Sequence, residues 1–363
     1  MKNSFGNALT VTLFGESHGD AIGAVVDGIS PGIKISDDYI KEKLSKRRPG
    51  GKISTSRVEA DEYRIVSGVF NGYTTGTPLT LIIENTNKKS SDYSALVNNP
   101  RPSHADYTAD VKYRGYQDFR GGGHFSGRIT AALVAVGAIL QSALLSKSIT
   151  IGTHIKSLHG IEDRAFNHLS DDISLLSKRA FPTLSEDAEC EMKEFAEKIA
   201  LDGDSVGGVL ETAILGLPAG VGEPWFDTLE GMLAHALFSI PAVKGVEFGL
   251  GFGFGNALGS EANDPLRYEN GAVVTETNNS GGINGGISNG MPILFSVAVR
   301  PTPSIFKEQR TIDRSLRENT VLKISGRHDP MIVHRAAPVV DAVAAIVISD
   351  MLISRFGTDY LAN

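Results

Sequence analysis

Two stretches of this 363-residue chain, about 126–146 and about 337–354, are alanine-rich and apolar on nearly every face that a helix would present. A helix with no polar face must be covered all round, so both belong at the centre of the molecule, between sheets supplied by the rest of the chain. The first is interrupted by Thr130, Gly137, Gln141 and Ser142. It falls short of the roughly 20 apolar residues that a membrane span needs, and a buried core helix is expected instead. The two stretches also close corresponding halves of an internal repeat. Gly15-Glu16-Ser17-His18-Gly19 leads through an apolar run to Pro31-Gly32, and Gly203-Asp204-Ser205-Val206-Gly207 leads through a similar run to Pro218-Ala219-Gly220. Each copy then enters an amphipathic helix, about 37–46 and about 227–238; in the second, Phe226, Leu229, Leu233 and Leu237 recur at a period near 3.6. Strand-like 80–84 and 294–299 follow matching glycine–proline segments. The expected fold is α+β, a β-α-β sandwich in which two pseudo-symmetric halves (about 8–147 and about 203–355) set buried helices between antiparallel sheets. A helical connector, about 148–202, joins the halves, with a polar amphipathic helix at 186–200. The whole of 1–363 reads as a single domain.

Composition narrows the function. Hydrophobic content of 41% and charged content of 21% are those of a globular chain. The lone Cys190 excludes an internal disulfide and any multi-cysteine metal site, which fits a reducing cytoplasm. No basic segment followed by an apolar one opens the chain, so no signal peptide is expected. A net charge of −7 argues against nucleic acid as a partner. The arginines are nevertheless grouped: Arg47 and Arg48, Arg57, Arg101, Arg114, Arg120 and Arg128, then Arg300, Arg327 and Arg335. That grouping points to a pocket for a small polyanion. Forty glycines in short runs indicate tight turns and close backbone approach.

Several motifs mislead. Gly15 to Gly19 has the spacing of a nucleophile elbow, which would make Ser17 a hydrolase nucleophile. An elbow needs a helix directly after the serine, and Ala21 to Val26 reads as a second strand. Gly253-x-Gly255-x-x-x-Gly259 resembles a dinucleotide loop, but Ser260 to Pro265 is polar and proline-stopped where a helix should open. Gly50-Gly51-Lys52 lacks the upstream glycine of a phosphate-binding loop. His104-Ala105-Asp106 could supply two metal ligands, but no second pair completes a site, and no metal is expected.

What remains is consistent. His18 and His104 sit in loops with small neighbours that leave room for a ligand, and histidine is the usual proton donor near neutrality. His154, His159, His168 and His235 lack that context and read as structural or surface groups. Gly121 to Gly123 open the first buried helix, followed by Ser126 and Arg128. Backbone N–H groups there, with the positive end of the helix and a bidentate guanidinium, would suit a phosphate. The residues alone lead to an enzyme that binds a multiply charged small anion, most simply a phosphate ester, and uses histidine acid chemistry.

In these motifs the chain resembles the chorismate synthase family along nearly its whole length. The matching segments are Phe14-Gly-Glu-Ser-His-Gly19, Arg47-Arg-Pro-Gly50, Ser67-Gly-Val69 with Thr74-Thr-Gly76, Arg101-Pro-Ser-His-Ala-Asp106, Asp118-Phe-Arg-Gly-Gly-Gly123 and Ser126-Gly-Arg128. They continue through Val243-Lys-Gly-Val-Glu247, Gly259-Ser-Glu261, Gly281 to Gly290, Pro301-Thr-Pro-Ser304 and Gly326-Arg-His-Asp-Pro330. Only 148–201 and the last few residues match loosely. The resemblance implies a homotetramer that binds reduced FMN, with NADPH as the direct or indirect source of electrons and an external flavin reductase as the expected donor. It implies an anti 1,4-elimination of phosphate from 5-enolpyruvylshikimate 3-phosphate, giving chorismate, the last step of the shikimate pathway. His18 then matches the histidine that protonates the flavin, His104 the one that protonates the departing phosphate, and Asp329 the aspartate that assists proton removal. Ser17, Arg47, Arg48 and Arg128 match substrate-side positions. His124, Phe125, Ser126, Pro241, Ala242, Gly285, Arg300, Pro301, Thr302, Pro303, Ser304 and Arg327 match flavin-side positions. His18, His104 and Asp329 are expected to line one arginine-rimmed cleft.

The sequence departs from the family pattern at His124-Phe125, where many members have Arg-Ser, and at Arg300, where lysine is common. It departs also at Lys52-Ile53, where some members carry a further arginine, and at Met331, often a cysteine. Two rivals are a serine hydrolase using Ser17 and a non-enzymatic flavin-binding protein, which would be indifferent to loss of His18 and His104.

Overall fold

A computed structural model describes residues 2–51, 53–54, 60–86, 97–324 and 328–362. In the first half, β1 (Ser4–Phe5), β2 (Thr10–Gly15), β3 (Ala21–Asp27) and β4 (Tyr63–Ser67) precede a short ribbon of β5 (Val69–Phe70) and β6 (Tyr73–Thr74), and then β7 (Leu79–Glu84). They build an antiparallel sheet in the order β1-β2-β3-β7-β4. Alternation decides which face is buried: Leu79, Leu81 and Ile83 of β7 point inward, paired with Val26, Ala24 and Ile22 of β3.

The second half supplies β8 (Thr150–Leu158), β9 (Ile161–Glu162), β10 (Gly208–Leu215) and β11 (Val243–Phe248). Next come the ribbons β12 (Leu266–Glu269)–β13 (Ala272–Thr275) and β14 (Ile283–Asn284)–β15 (Ile287–Ser288), then β16 (Ile293–Val299). This sheet runs β11-β16-β10-β8-β9. The inner strands of the two sheets therefore share one order, β2-β3-β7-β4 and β8-β10-β16-β11. A last ribbon, β17 (Gln309–Asp313)–β18 (Glu318–Leu322), follows β16.

Between the sheets lie α1 (Asp37–Arg47), α3 (Thr130–Ser146), α6 (Leu229–Leu237) and α8 (Val333–Phe356), while α2 (Asp106–Tyr113), α4 (Leu169–Lys178), α5 (Glu186–Leu201) and the one-turn α7 (Gly259–Ala262) are the other α-helices among the described residues. The helix α3 packs on β3 and β7, and α8 on β8 and β10. They meet at Gly137, where an added Cβ would stand 2.3 Å from the Cβ of Ala342. Segments Gly127–Ser146 and Val333–Phe356 are apolar and long enough to cross a membrane, but both are buried in this core. The α+β sandwich is as expected from two helices without a polar face. At the far end of α8 the buried carboxylate of Asp350 accepts the N–H groups of Asn7 (2.9 Å), Ala8 (2.7 Å) and Leu9 (2.8 Å), tying the first strands to the last helix.

Two expectations need correction. The segment 148–202 is not a purely helical connector, because 150–158 form β8, an inner strand of the second sheet. The helix α8 begins at Val333, four residues before 337, and carries Pro338 in its second turn, where proline removes the N–H that would otherwise reach the His334 carbonyl.

Candidate active site

Gly15 to Gly19 form the turn between β2 and β3, with no helix after it, so the elbow geometry is absent. Ser17 Oγ instead donates to the carbonyl oxygens of Arg120 (3.1 Å) and Gly121 (3.2 Å), and lies 3.1 Å from His18 Nδ1. The three glycines 121–123 all have positive φ. A Cβ on Gly121 would reach within 2.2 Å of the His18 ring, and one on Gly122 within 3.2 Å of the His104 ring. The glycine run therefore admits two imidazoles, rather than serving only to cradle an anion. Ser126 follows and caps the short turn Gly127–Ile129 by accepting the Arg128 N–H, which leads into α3.

The start of α3 opens into a cleft of about 530 Å³, within the range of small-molecule sites. Arg47, Arg101, Arg128, Arg300 and Arg335 supply its cationic walls, and Ile240, Pro241, Ala242, Pro303 and Val339 its apolar ones. Arg128 donates to Asn85 Oδ1 (3.0 Å) and to the buried carboxylate of Asp61. Asn85 in turn donates to the carbonyls of Glu16 (2.9 Å) and Gly19 (3.0 Å), linking this arginine to the turn that carries Ser17. Arg47 and Arg48 stand 3.8 Å from the same Asp61 carboxylate. Across the cleft, Arg335 donates to Asp329 (2.9 Å) and to the carbonyl of Arg47 (2.8 Å). Burial draws the Arg300 guanidinium below its ordinary range. Ala242 holds a positive φ of 78° in the wall, a strained conformation for a residue with a Cβ.

His104 has the most elaborate surroundings. Its Nδ1 is 2.5 Å from Asp106 Oδ1 and 3.0 Å from Arg101 Nη2. Arg101 donates three N–H groups to Asp106: the backbone N–H (3.0 Å) and Nε (2.8 Å) to Oδ2, and Nη2 (2.8 Å) to Oδ1. Burial raises the Asp106 carboxyl, but the bonds from Arg101 and His104 outweigh it and hold the group well below the usual carboxylate range. Burial lowers the His104 pKa; the Asp106 bond opposes that shift, while the charges of Arg101 and Arg300 add to it.

The structure brings together in this cleft Ser17, His104, Phe125, Ser126, Arg47, Arg128, Pro241, Ala242, Arg300, Thr302, Pro303, Ser304 and Asp329. Five expected residues do not line it. His18 is 3% exposed and sits one layer behind, screened by Ser17 and Gly121. His124 meets the Gly15 carbonyl through Nδ1 (2.7 Å), away from the cleft. Arg48 is set back beside Asp61, Pro301 packs at Gly207, and Gly285 lies in the β14–β15 turn. Arg327 and Lys52 fall outside the described residues.

Sequence reasoning missed Asp61 and Asn85 entirely; it counted Arg101 and Arg335 among the grouped arginines without giving either a role, and weighed Asp106 only as a metal ligand. The signal for Arg101 and Asp106 was present in their spacing around His104; Asp61 and Asn85 become visible only when the first sheet folds over the start of α3.

Fold and cleft define an α+β protein with a small-molecule cleft walled by arginines and lined by an imidazole and a carboxylate. The family model described as chorismate synthase matches residues 9–353. Chorismate synthases of Thermococcus kodakarensis, over 350 residues (96% of this chain, 97% of that one), and Methanosarcina acetivorans, over 359 residues (98% and 97%), are 46% and 45% identical to it. A crystal structure of a chorismate synthase superposes with a TM-score of 0.77 at 30% identity, covering 98% of this chain and 94% of that one. The chain belongs to the chorismate synthase family, and with it to the lyases of chorismate and aromatic amino-acid biosynthesis.

Proposed function

We propose that this chain eliminates phosphate from 5-enolpyruvylshikimate 3-phosphate in an anti 1,4 sense, with reduced FMN bound in the same cleft. One observation carries the reading: His104 and Asp329 face a single space that has arginines on several walls and apolar side chains on another. The donor set fits the flavin as well as the substrate. Pro241, Ala242 and Pro303 offer a flat apolar surface for a ring. Ser126, Arg300, Ser304 and the buried Thr302 Oγ1, which lacks a hydrogen-bond partner among the described residues, offer polar contacts. His124, Gly285, Pro301 and Arg327 are assigned to the flavin on family likeness alone.

Reduced FMN, when bound, supplies electron density and a base to the substrate ring. The chain's own residues do the rest. Arg47 and Arg128, with Ser17, hold the substrate's anionic groups, and a clamped phosphate leaves more readily; Arg48 is assigned to the substrate on family likeness alone. His104 supplies a proton to the departing phosphate oxygen, which lowers the charge that must develop on it. His18 exchanges protons with the flavin side through Ser17 Oγ, 3.1 Å from its ring. Asp329, oriented by Arg335, assists proton removal.

The test is anaerobic. Protein, photoreduced FMN and substrate should yield phosphate and chorismate in equal amounts, and no turnover should occur with flavin left oxidised. Phosphate release without chorismate, or turnover without flavin, would overturn the reading.

An external flavin reductase drawing on NADPH is the proposed electron source; turnover with FMN and NADPH as the only additions would instead assign reduction to this chain. A cytoplasmic homotetramer is also proposed, supported by the exposed Trp225, Phe226, Phe252 and Tyr268, and light scattering of the purified protein tests it. The two halves, about 8–147 and about 203–355, are further read as duplicates within one domain, a reading supported by the shared strand order of the two sheets.

A further inference from the structure

His104 lies between two spaces. It lines the main cleft and also a cavity of about 110 Å³ behind it, shared with Asp110, Gln117, Asp118 and Arg314. On a third side the ring packs closely over Gly122, where a Cβ would stand 3.2 Å from it. With open space on two sides, the ring needs an anchor to keep one nitrogen aimed at a substrate. The only anchors on Nδ1 among the described residues are Asp106 Oδ1 at 2.5 Å and Arg101 Nη2 at 3.0 Å, and they make incompatible demands. Asp106 can only accept, so it requires a proton on Nδ1; Arg101 can only donate, so it requires a lone pair there. Two lone pairs would repel at 2.5 Å, and the shorter contact decides: the proton resides on Nδ1 and is donated to Asp106.

We infer that Asp106, clamped by Arg101, is a positioning residue that fixes the His104 proton on Nδ1 and leaves Nε2 as the working nitrogen. The inference rests on the assignment of His104 as the phosphate-side acid. It has a chemical consequence. With Nδ1–H committed to Asp106, neutral His104 presents only a lone pair at Nε2, so the proton that reaches the leaving oxygen belongs to the doubly protonated imidazolium. On its transfer the N–H bond at Nε2 breaks, an O–H bond forms on phosphate, and His104 returns to neutral with Nδ1–H unchanged. Arg101 keeps Asp106 ionised and oriented, and through Nη1 on Ser304 Oγ (3.3 Å) it joins this clamp to the 300–304 segment.

The charged groups around His104 are Arg101 and Asp106 on its own loop and at the start of α2, Arg300 after β16, and Asp110, Asp118 and Arg314 around the rear cavity. In Asp106→Asn only the carboxylate that raises the His104 pKa is lost. The high-pH limb of kcat should therefore move to lower pH by about one unit. At pH 7.5 kcat should fall roughly 10- to 100-fold, while KM for the substrate and Kd for FMN stay within about twofold. Arg101→Lys keeps the charge without the fork and should fall between Asp106→Asn and the native protein.

Solid-state 15N NMR of histidine-labelled protein gives a readout apart from activity, with His104 assigned by difference from His104→Ala. Neutral His104 should carry its proton on Nδ1 in the native protein, and on Nε2 to a measurable extent in Asp106→Asn. A native His104 protonated on Nε2 overturns the inference, as does an Asp106→Asn protein with native tautomer and native pH profile. If His104→Ala turns over normally, the acid assignment itself falls, and this inference with it. If His104→Ala loses turnover but Asp106→Asn does not, only the inference falls.

Discussion

Two histidines in this molecule each meet an aspartate through Nδ1, and their environments push them in opposite directions. His104 lies 2.5 Å from Asp106 at the cleft, and His154 lies 2.9 Å from Asp163 inside the second sheet. Burial lowers the pKa of both. At His104 the aspartate is already committed to Arg101, and with Arg300 nearby the net shift is downward. At His154 a second carboxylate, Glu211, sits 3.2 Å from Nε2, and together the two acids reverse the effect of burial and raise the pKa. The lesson is that a histidine–aspartate contact says little until the remaining ring nitrogen is accounted for. His154 has both nitrogens committed to carboxylates and is a brace between β8, β10 and the loop at Asp163, which also accepts the N–H groups of Leu184 and Ser185. His104 has one nitrogen committed and the other left for chemistry.

Substitutions can break that contrast from either side. The largest effect is expected at the brace: His154→Ala leaves the buried Asp163 carboxylate and the partly buried Glu211 carboxylate without their shared partner and should cost about 3–5 kcal/mol of stability. Denaturant melts check this, and kcat of the folded fraction should be native; a catalytic defect without loss of stability would erase the distinction. His104→Ala should do the reverse, cutting turnover roughly a hundredfold or more with flavin binding intact, as single-turnover assays and flavin titration would show. Unchanged turnover would remove His104 from the mechanism.

A smaller effect is expected for Glu211→Gln, about 1–2 kcal/mol, because it weakens one charge-assisted bond, and its pH dependence sharpens the comparison. A raised histidine pKa contributes stability that is complete below the unfolded value of about 6.5 and fades as pH rises through the folded value. The gap between Glu211→Gln and the native protein should therefore be widest near pH 6 and narrow as pH rises through the raised value of His154, read from melts across that range. His104, being lowered, follows the opposite rule: its contribution is complete above about 6.5 and is lost as pH falls through its depressed value. Least of all, Lys156→Ala removes a half-exposed partner of Glu211 (2.8 Å) and should change stability by less than about 1 kcal/mol.

The same contrast marks what could be read from the amino acids alone. The helices α3 and α8 were legible because a segment apolar on all sides has one place to go. The motif around His104 was legible because its neighbours are small. His154 was read only as a structural or surface group, and its place as a buried brace stayed hidden because β8, Thr150–Leu158, mixes threonine, histidine and lysine with its apolar residues. Its polar groups are buried only because Asp163 and Glu211 come to meet them from other segments. The retreat of His18 behind Ser17 was likewise invisible, since it depends on the backbone of Gly121 folding across the turn after β2. Local pattern reports elements and reactive side chains; which nitrogen faces a cleft is decided by chain segments distant in sequence.

The three N–H groups gathered by Asp350 have a consequence for how the protein is made. The nascent chain delivers Asn7 to Leu9 first and their acceptor last, more than 300 residues later. During synthesis the first sheet has to wait on the ribosome with its edge unlatched. A stop codon shortly before Asp350 should therefore loosen not the tail of the molecule but its beginning.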